Sequence, residues 1–465
     1  MKIAIFSDAY YPQINGVVTS INSIAQNMAD RGHQVIIVAP SYKNLQEPEY
    51  PGITVIRVTS ISASFYDDFR WTNPFSYVVY RALKDEGVDI IHFMTPVFIS
   101  LLGIKFARKL KIPLVATFHT FIANPLYFEH LFKGPLKITE EVSWKYLNLY
   151  YDCADYVTAP TEEAVKIIRE NHCKAPLEAI SNGIDFDIFD NSRSPEFKKR
   201  WGLGDKVILY VGRVAFEKNL RNLIDSFDLT YQKHPDAQLL IIGDGPQMEE
   251  FEKYAASKDS GKQIIFTGAI PHNELVVSGV FKAVSFFATA SQTETQGITL
   301  LEAQANGLIC VGVREGGIIN LIEDGKNGYL VAPGNNQEMA EKMVYILDNK
   351  AALESMEKAA KEMVDIHKMS RIIDRWEELY QHLIDNKDNL PVKDYLHFSA
   401  VMKFSTQFKI DFRYFLKKIR PTRTFVTRTP EFKNCQYRSR QLRSRSFIST
   451  ISLKKLRSFK SGQHE

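Results

Sequence analysis

The chain alternates short apolar runs with amphipathic stretches, and this alternation constrains its fold more than any other feature. Six such runs occur early in the chain: KIAIFSD, HQVIIVAP, ITVIRV, DIIHFM, PLVATFHT and DYVTAP. Runs rich in Val and Ile that stay apolar over nearly their whole length are typical of parallel strands that helices cover on both faces. The early part of the chain is therefore predicted to form a parallel α/β sheet.

The same alternation starts again after the stretch ISNGIDFDIF. The second series of strand candidates is KVILYVGRV, AQLLIIGDGP, QIIFTGAI, VSFFATAS, LICVGV and GYLV. Two doubly wound sheets in series, joined near residue 184, are the predicted fold. Helical stretches over about 336–388 close the second half, and the amphipathic SRIIDRWEELYQHLIDNK is expected to pack back across the first sheet. Ligands of such sheets bind beyond the carboxyl ends of the strands, so both sets of strand ends are expected to border one cleft.

Length and composition exclude several classes of protein. A chain of 465 residues is too long for a single core. No apolar run reaches the roughly 18 residues that span a bilayer, and the N-terminal MKIAIFSDAYYPQ lacks the cleavage site of a signal peptide. The cysteines have no C-x-x-C spacing, so neither a zinc site nor a disulfide framework is predicted, and a reducing, cytoplasmic location is expected. They are Cys153, Cys173, Cys310 and Cys435.

The charge of the chain is divided unevenly. Residues 391–465 hold 18 Lys and Arg against 4 Asp and Glu, a net charge of +14, whereas the preceding 390 residues carry −10. A basic tail on an acidic body indicates a polyanionic partner, either a membrane surface or nucleic acid. A solvated, disordered tail with no partner remains the alternative.

Several polar residues follow strand candidates, where the chemistry is expected. Gly16 precedes a helix whose N-terminus suits an anion, although the segment matches neither a G-x-G-x-x-G motif nor a P-loop, so no dinucleotide or ATP site is predicted. His119 ends the fifth strand candidate, a position equally consistent with a structural and a functional role. Arg213 and Lys218, in YVGRVAFEKNL, place two cations beside a helix start, where they are able to neutralise a diphosphate. Taken alone, the two residues also fit a solvated basic pair at a helix start.

The stretch SQTETQGITLLEAQANG carries two glutamates eight positions apart. Glu294 is predicted to follow a strand and point into the cleft, while Gly297 allows the backbone to approach a ligand closely. The first-turn amides from Gly297 to Leu300 are expected to face an anion. Glu302, one to two turns further along, is expected to reach another part of the same molecule. A sugar nucleotide has hydroxyl groups that donate to carboxylates at both ends and a diphosphate between them.

Taken together, these motifs resemble the retaining glycosyltransferases of family 4. The set consists of the two glutamates, the GR…EKN cation pair, NGID, GDGP and the N-terminal glycine loop, and the resemblance covers about residues 1–388. It implies the GT-B fold, α/β with two Rossmann-like doubly wound domains facing a central cleft. FSDAYYPQINGVVTSI, FHT and ETQGITLLEA are most like the bacterial members that act on diacylglycerol. Gln296 favours that branch, because Phe or Pro is more common at its position.

The resemblance implies a role for each matching residue. Arg213 and Lys218 bind the donor diphosphate, Glu294 holds hydroxyl groups of the transferred hexose, and Glu302 holds the ribose. His119 lies beside the reacting sugar, and Gly16 lets the acceptor-side loop approach the phosphate. The predicted catalytic residues are His119 and Glu294. The predicted donor-binding residues are Gly16, Arg213, Lys218, Glu294, Gly297, Ile298, Thr299, Leu300 and Glu302.

The resemblance also implies that no cofactor or metal ion takes part. Asp185 and Asp187 match the D-x-D metal motif of a different glycosyltransferase fold, but here they overlap the NGID linker. GT-B enzymes generally need no bound metal, so this pair is not predicted to be a metal site. Retaining members of the family form α-linked products without a separate nucleophilic carboxylate.

The predicted organisation has four parts. Residues 1–183 form an acceptor-binding domain, 184–370 a nucleotide-sugar-binding domain, 371–390 a closing helix that packs back on the first domain, and 391–465 a basic tail. The tail interleaves aromatic and basic residues in KFSTQFKIDFRYFLKKIRP, which suits an anionic bilayer interface, whereas RSRQLRSRS fits an RNA-binding or disordered tract equally well. The Leu101–Pro113 stretch is a second candidate for membrane contact, although such a stretch is more often a sheet-packing helix with a basic outer face.

The leading functional prediction is transfer of a hexose from UDP-glucose or UDP-galactose to 1,2-diacylglycerol or a related lipid. The enzyme is then expected to be cytoplasmic and peripherally associated with the inner face of the cell membrane through its tail. One alternative keeps the chemistry but has a soluble sugar or a cell-envelope polysaccharide as acceptor. Another is an inactive sugar-nucleotide scaffold with a nucleic-acid-binding tail, which the intact set of charged residues disfavours.

Overall fold

The computed structural model describes most of the chain as two parallel α/β sheets. The described residues are 1–13, 15–43, 45–62, 70–73, 76–121, 139–349, 353–391, 393 and 425–426. They all belong to one compact unit that spans Met1–Thr427. The predictions for Cys435 and for most of the basic tail lie outside the described residues.

The first sheet has eight strands in the order β16-β3-β2-β1-β6-β7-β8-β9, and all neighbours are parallel except β16 and β3. A separate two-stranded antiparallel sheet is formed by β4 and β5. The predicted strands of this half are all present, and β4, β5, β9 and β16 are additional. In chain order the strands are β1 (Lys2–Phe6), β2 (Gln34–Pro40), β3 (Ile53–Val58), β4 (Ser60–Ser62), β5 (Arg70–Thr72), β6 (Ile90–Phe93), β7 (Leu114–Thr117), β8 (Tyr156–Ala159) and β9 (Leu177–Ala179), with β16 (Phe425–Val426) from the tail.

The second sheet has six parallel strands in the order β12-β11-β10-β13-β14-β15. The prediction of two doubly wound sheets is therefore confirmed. In both sheets the order reverses beside the first strand, between β1 and β6 and between β10 and β13, and ligands bind outside such switch points. The strands are β10 (Val207–Val211), β11 (Gln238–Ile242), β12 (Ile264–Phe266), β13 (Phe286–Ala288), β14 (Cys310–Val313) and β15 (Gly328–Val331).

Helices connect the strands and cover both sheets. Within the described residues of the first half they are α1 (Gly16–Asp30), α2 (Tyr77–Glu86), α3 (Phe98–Leu110), α4 (Glu140–Tyr151) and α5 (Glu162–Glu170). Those of the second half are α6 (Ser194–Trp201), α7 (Leu220–Tyr231), α8 (Met248–Ala256), α9 (His272–Leu275), α10 (Val280–Ala283), α11 (Ile298–Ala305), α12 (Asn336–Asp348) and α13 (Glu354–Val364). Short 3-10 turns occur at Phe216–Lys218, Gly261–Gln263, Gly316–Asn320, Asp365–His367 and Lys387–Asn389.

The last helix of the described residues, α14 (Met369–Asp385), packs against the first sheet. Its buried Trp376 and Tyr380 join the cluster formed by β1, β2 and α1. The Tyr380 hydroxyl lies 2.7 Å from Nδ1 of His92 on β6, and Nε2 of that histidine lies 2.6 Å from the Thr117 hydroxyl. The sequence predicted this packing from the amphipathic pattern, although the helix begins two residues before the predicted boundary.

The chain passes between the two halves close to residue 184. The Ile184 amide donates to the His367 carbonyl, and the Met369 amide donates to the Ile184 carbonyl, both at 2.8 Å. The crossing and the returning segment are thus paired with each other at the junction. Within the described residues, no helix has both the length and the apolar character that crossing a bilayer demands.

Candidate functional site

Two helix N-termini, one from each half, meet at the switch points. Helix α1 begins at Gly16, and the side chain of Asn15 caps it by accepting from the Val18 amide at 3.1 Å. A methyl group on Gly16 would lie 3.9 Å from Cδ1 of Ile298, the first residue of α11. The N-terminus of each of these two helices is the positive end of its helix dipole. The predicted acceptor-side glycine and the predicted donor-side helix are therefore adjacent.

The first turn of α11 is only partly available to a ligand. Gly297 has a left-handed conformation, with φ of 95°. The amides of Leu300 and Leu301 donate to its carbonyl at 3.0 and 3.1 Å, and the Leu300 side chain is buried in the second core. The anion contact expected of Gly297, Ile298, Thr299 and Leu300 stays a prediction.

Lys218 and Glu294 form an ion pair, with 2.6 Å between Nζ and Oε1. Each side chain is 21% exposed, so the pair is partly shielded from solvent. Burial opposes the ionisation of both groups, but their mutual attraction outweighs it. The pKa of Glu294 is therefore lowered and the pKa of Lys218 is raised. Both groups carry charge at neutral pH.

The loop before α11 is also bonded to the turn that carries Lys218. The hydroxyls of Ser291 and Thr293 donate to the Glu217 carbonyl at 3.4 and 3.2 Å. These bonds place Glu294, the next residue, opposite Lys218. The segment after β10 is bonded to the end of β11 and to the GDGP turn, because the Gly212 amide donates to the Ile242 carbonyl and the Val214 amide donates to the Asp244 carbonyl, both at 3.0 Å.

Arg213 lies two residues beyond the end of β10 and is half-buried. Its carbonyl accepts from the Tyr210 hydroxyl at 3.1 Å. A methyl group on Gly243 would lie 1.8 Å from the Gly212 carbonyl oxygen, so the GDGP turn approaches this backbone as only glycine allows. The turn therefore supports the segment from which the arginine projects.

His119 lies at the carboxyl end of the first sheet and contacts the second half through its backbone. Its carbonyl accepts from the Thr295 hydroxyl at 2.8 Å, next to Glu294. Its Nε2 lies 3.3 Å from the sulfur of Met94. Burial lowers the pKa of His119 to about 4. The imidazole is therefore neutral at physiological pH.

Glu302 lies on α11, away from the Lys218 pair, and contacts a residue that the sequence did not single out. Its Oε1 is 2.6 Å from Nε2 of His272, the first residue of α9. Glu302 is 3% exposed, whereas the His272 side chain is 47% exposed. The hydrogen bond to Glu302 raises the pKa of His272. The other oxygen, Oε2, is buried and has no hydrogen-bond partner among the described residues.

A glycine pair after β14 supports the Glu294 loop and also escaped the sequence analysis. The Gly317 amide donates to the Glu294 carbonyl at 2.7 Å. A methyl group on Gly317 would lie 2.1 Å from the Thr295 carbonyl oxygen, and one on Gly316 would lie 2.6 Å from that of Glu294. The available signal was the pair itself, in REGGI, directly after an apolar strand.

The arrangement combines groups for an anion with groups for hydroxyls. Lys218, Arg213 and two helix N-termini provide positive potential at the switch points. Glu294 and Glu302 provide acceptors on either side of the α11 start. Asp185, in the D-x-D sequence, accepts from the Asp187 amide at 3.0 Å. No three or more His, Cys, Asp or Glu side chains are grouped to hold a metal ion within the part of the chain that the structure describes.

Each half of the chain matches a glycosyltransferase family model. Residues 14–188 match the model described as Glycosyltransferase Family 4, and residues 192–363 match Glycosyl transferases group 1. The boundary between the two matches falls where the chain crosses from one sheet to the other. The candidate site draws on both matched segments.

Individual relatives carry related names. The chain is 30% identical over 71% of its length to the alpha-monoglucosyldiacylglycerol synthase of Streptococcus pneumoniae, covering 75% of that protein. It is 28% identical over 83% of its length to the Acholeplasma laidlawii protein of the same name, covering 98% of it. A GDP-mannose-dependent alpha-mannosyltransferase of Corynebacterium glutamicum is also 28% identical, over 71% of this chain and 76% of that protein.

Solved structures share the fold. Anabaena Alr3699/HepE in complex with UDP matches with a TM-score of 0.67 and 19% identity, over 82% of this chain and all of that one. Sucrose-phosphate synthase from Thermosynechococcus elongatus matches with a TM-score of 0.65 and 17% identity, over 83% and 99% of the two chains. The architecture is therefore that of the GT-B glycosyltransferases. The chain belongs to the family 4 glycosyltransferases and is a hexosyltransferase.

Proposed function

We propose that the enzyme transfers a hexose from a UDP-sugar, UDP-glucose or UDP-galactose, to 1,2-diacylglycerol or a related lipid. The product is an α-linked glycolipid, formed with retention of configuration. The observation that carries the donor part is the Lys218–Glu294 pair, 2.6 Å apart, beside the α11 N-terminus. The names of the two diacylglycerol synthase relatives, with 30% and 28% identity, support the lipid acceptor.

The proposed roles of the cationic groups follow from charge. Lys218 is expected to contact the diphosphate, but Glu294 already neutralises the charge of this lysine. Arg213 and the α11 N-terminus then supply the additional positive potential that the leaving diphosphate requires. Orientation of the donor and stabilisation of the leaving group are the main sources of catalysis in this proposal.

The remaining proposed contacts place the rest of the donor. Glu294 accepts hydrogen bonds from the hexose, and Glu302 accepts from the ribose through its unpartnered oxygen. His119 lies beside the reacting sugar as a neutral imidazole, because its pKa is about 4. Gly16 permits close approach of the α1 N-terminus to the phosphate. Residues 1–183 then bind the acceptor and 184–370 the donor, with 371–390 as the closing helix.

The proposal is tested by supplying purified protein with radiolabelled UDP-glucose, UDP-galactose or GDP-mannose over vesicles that contain diacylglycerol. Label from one UDP-sugar is expected to enter the organic phase. GDP-mannose is included because one relative is named for that donor. The Glu294→Gln variant controls for lipid-soluble contaminants. Label found only on a water-soluble acceptor would contradict the lipid proposal and favour the alternative of a sugar or polysaccharide acceptor.

We also propose that the basic tail attaches the enzyme to anionic membranes. Residues 391–465 carry +14, whereas the preceding residues carry −10 and are repelled by an anionic surface. Each Lys or Arg near such a surface contributes about 1 kcal/mol. The attraction is expected to weaken as salt shortens the Debye length from about 10 Å at 0.1 M to about 3 Å at 1 M.

Two truncations test the tail by co-sedimentation with vesicles. Deletion of 428–465 removes a net +8 and spares β16, while deletion of 391–465 removes the full +14. Binding to anionic vesicles is expected to fall in the first variant and fall further in the second, with little binding to neutral vesicles throughout. Equal binding by all forms would contradict the proposal and direct attention to the Leu101–Pro113 stretch.

A further inference from the structure

The loop that carries Glu294 is bonded to both halves of the molecule. On the side of the second sheet, the Glu294 carbonyl accepts from the Gly317 amide at 2.7 Å. On the side of the first sheet, the Thr295 hydroxyl donates to the His119 carbonyl, and the Thr295 carbonyl accepts from the Thr161 hydroxyl, both at 2.8 Å. Thr161 is the N-cap of α5. Glu294 is thus bonded to the second half of the molecule, and its neighbour Thr295 is bonded to the first half.

Gln296 extends this attachment to the segment that joins the halves. Its side chain is 1% exposed, and its Oε1 accepts from the Asn182 backbone amide at 3.0 Å and from the Asn182 side chain at 2.8 Å. Its Nε2 donates to the Ser181 hydroxyl at 2.7 Å. A buried amide with partners for both of its ends resists displacement, because any movement leaves a polar group unsatisfied.

The direction of each hydrogen bond around Ser181 follows from its single proton. The hydroxyl oxygen accepts from Gln296 and also from the Gly183 amide at 3.1 Å. Its own proton is therefore donated to Nδ1 of His367, 2.9 Å away. Burial lowers the pKa of His367 to about 4, which agrees with a neutral ring that accepts at Nδ1. The network thus reaches the returning segment beside α14.

We propose that Gln296 is a positioning residue that makes the location of Glu294 depend on how the two halves are placed. The proposal rests on the proposed role of Glu294 toward the donor sugar. Because Gln296 is two positions from Glu294 and fixed to residues 181–182, a shift of the first half displaces the carboxylate. Displacements of about 1 Å at a reacting centre reduce rates by up to about 100-fold. The nucleotide end differs, because Glu302 and His272 both belong to the second half.

The test replaces Gln296 with Met, which keeps the volume and removes the hydrogen bonds. A matched control is Gln304→Met on α11, the helix that follows Gln296. Gln304 is fully buried and donates to the Leu321 carbonyl at 2.9 Å, so its contact lies within the second half. For Gln296→Met, kcat is expected to fall about tenfold or more while the Kd for UDP, measured by calorimetry, changes less than about twofold. Gln304→Met is expected to lower Tm comparably and leave kcat nearly unchanged.

A double-mutant cycle with Ser181→Ala provides the second measurement. Since both substitutions break the same hydrogen bond, their effects on kcat are expected to be clearly less than additive. Unchanged kcat in Gln296→Met, or a fall matched by Gln304→Met, would overturn the proposal. Loss of UDP binding in Gln296→Met would do the same, since it would show collapse of the site. A wild-type enzyme that neither binds UDP nor transfers sugar would overturn the proposed function, and this inference with it.

Discussion

Glu294 and Glu302 are the same residue type, eight positions apart, yet they are held in different ways. Glu294 lies on a loop whose neighbours bond to both sheets, and its carboxylate faces Lys218 in the cleft. Glu302 lies on a helix, and its partner His272 belongs to the same half. The position of the Glu294 carboxylate therefore depends on contacts between the two halves, whereas the position of the Glu302 carboxylate depends on contacts within the second half.

Because of this difference, we expect binding of the sugar end and binding of the nucleotide end of the donor to respond differently when contacts between the two halves are changed. The sugar end depends on contacts between residues far apart in the chain, including the Thr295 hydroxyl and the His119 carbonyl. The nucleotide end depends on one helix and one histidine. Changes that loosen the two halves are therefore expected to affect turnover before they affect nucleotide binding.

The largest effect is expected from breaking the pair at the sugar end. Glu294→Gln and Lys218→Ala should each lower kcat/KM at least about 100-fold, which corresponds to about 2.7 kcal/mol of transition-state stabilisation. The reason is that both groups are proposed to act on the same donor, one on the hexose and one on the diphosphate. Steady-state kinetics with the preferred donor measures the effect.

A second ion pair of the same half serves as the control. Lys258 lies 2.6 Å from Asp225, with side chains 24% and 25% exposed, so its geometry matches that of the Lys218 pair. Lys258 precedes β12 and is therefore at the amino edge of the sheet, away from the cleft. Lys258→Ala is expected to leave kcat/KM unchanged. Near-normal transfer by a folded Lys218→Ala protein would remove that residue from the proposed site.

A smaller effect, mainly on KM, is expected at the nucleotide end. Glu302→Gln replaces the charged acceptor and should raise KM for the donor about tenfold, or about 1.4 kcal/mol of binding free energy. The kcat value should change much less than in Glu294→Gln. A UDP binding titration checks the same point without an acceptor. If kcat fell as much in Glu302→Gln as in Glu294→Gln, the proposed difference between the two carboxylates would be contradicted.

Protonation of His272 should affect stability by a still smaller amount. Its pKa is raised by Glu302, so the contribution of the protonated pair is fully present below the ordinary histidine pKa of about 6.5 and is lost as pH rises through the raised value. The loss of Tm in His272→Ala should therefore be larger near pH 6 than near pH 9. Because the His272 side chain is 47% exposed, the pH-dependent part of the free energy of unfolding should stay within the range of exposed ion pairs, about 0.2–1 kcal/mol. A pH-independent loss of Tm would contradict this.

Chelation is expected to have no effect on transfer. Each carboxylate already has a basic partner, Lys218 for Glu294 and His272 for Glu302. Positive potential at the diphosphate is then supplied by side chains and by helix N-termini. Assays in EDTA should match untreated enzyme. Activity that disappears in EDTA and returns with magnesium or manganese would revive the Asp185–Asp187 pair as a metal site.

The sequence predicted what depends on local pattern. The apolar runs located every strand of the second sheet, including the three-residue β12 and β13, because these buried parallel strands are continuously apolar. Lys218 was placed at a helix start and Glu294 after a strand end, both on the same donor. Their ion pair, across 76 positions, was not predicted.

What the sequence did not reveal depends on tertiary contact. Strands β4, β5 and β9 read SIS, RWT and LEA, so each contains polar or charged residues and shows no continuous apolar run. Gln296 was noted for its rarity in the family, but its partners lie 114 and 115 positions away. His272 follows a proline at the start of a four-residue helix, and only folding brings it beside Glu302. No local signal marks such contacts.

Helix α14 has a consequence for how the protein is made. The face of the first sheet that carries Ile3, Ile5 and Ile37 is covered in part by Trp376 and Tyr380, which the ribosome adds more than 330 positions later. At translation rates of about 5–20 residues per second, those strands wait roughly 20–70 s for their cover. An apolar surface exposed for that long is a target for chaperones and a risk for aggregation. The nascent chain is therefore most vulnerable before α14 emerges.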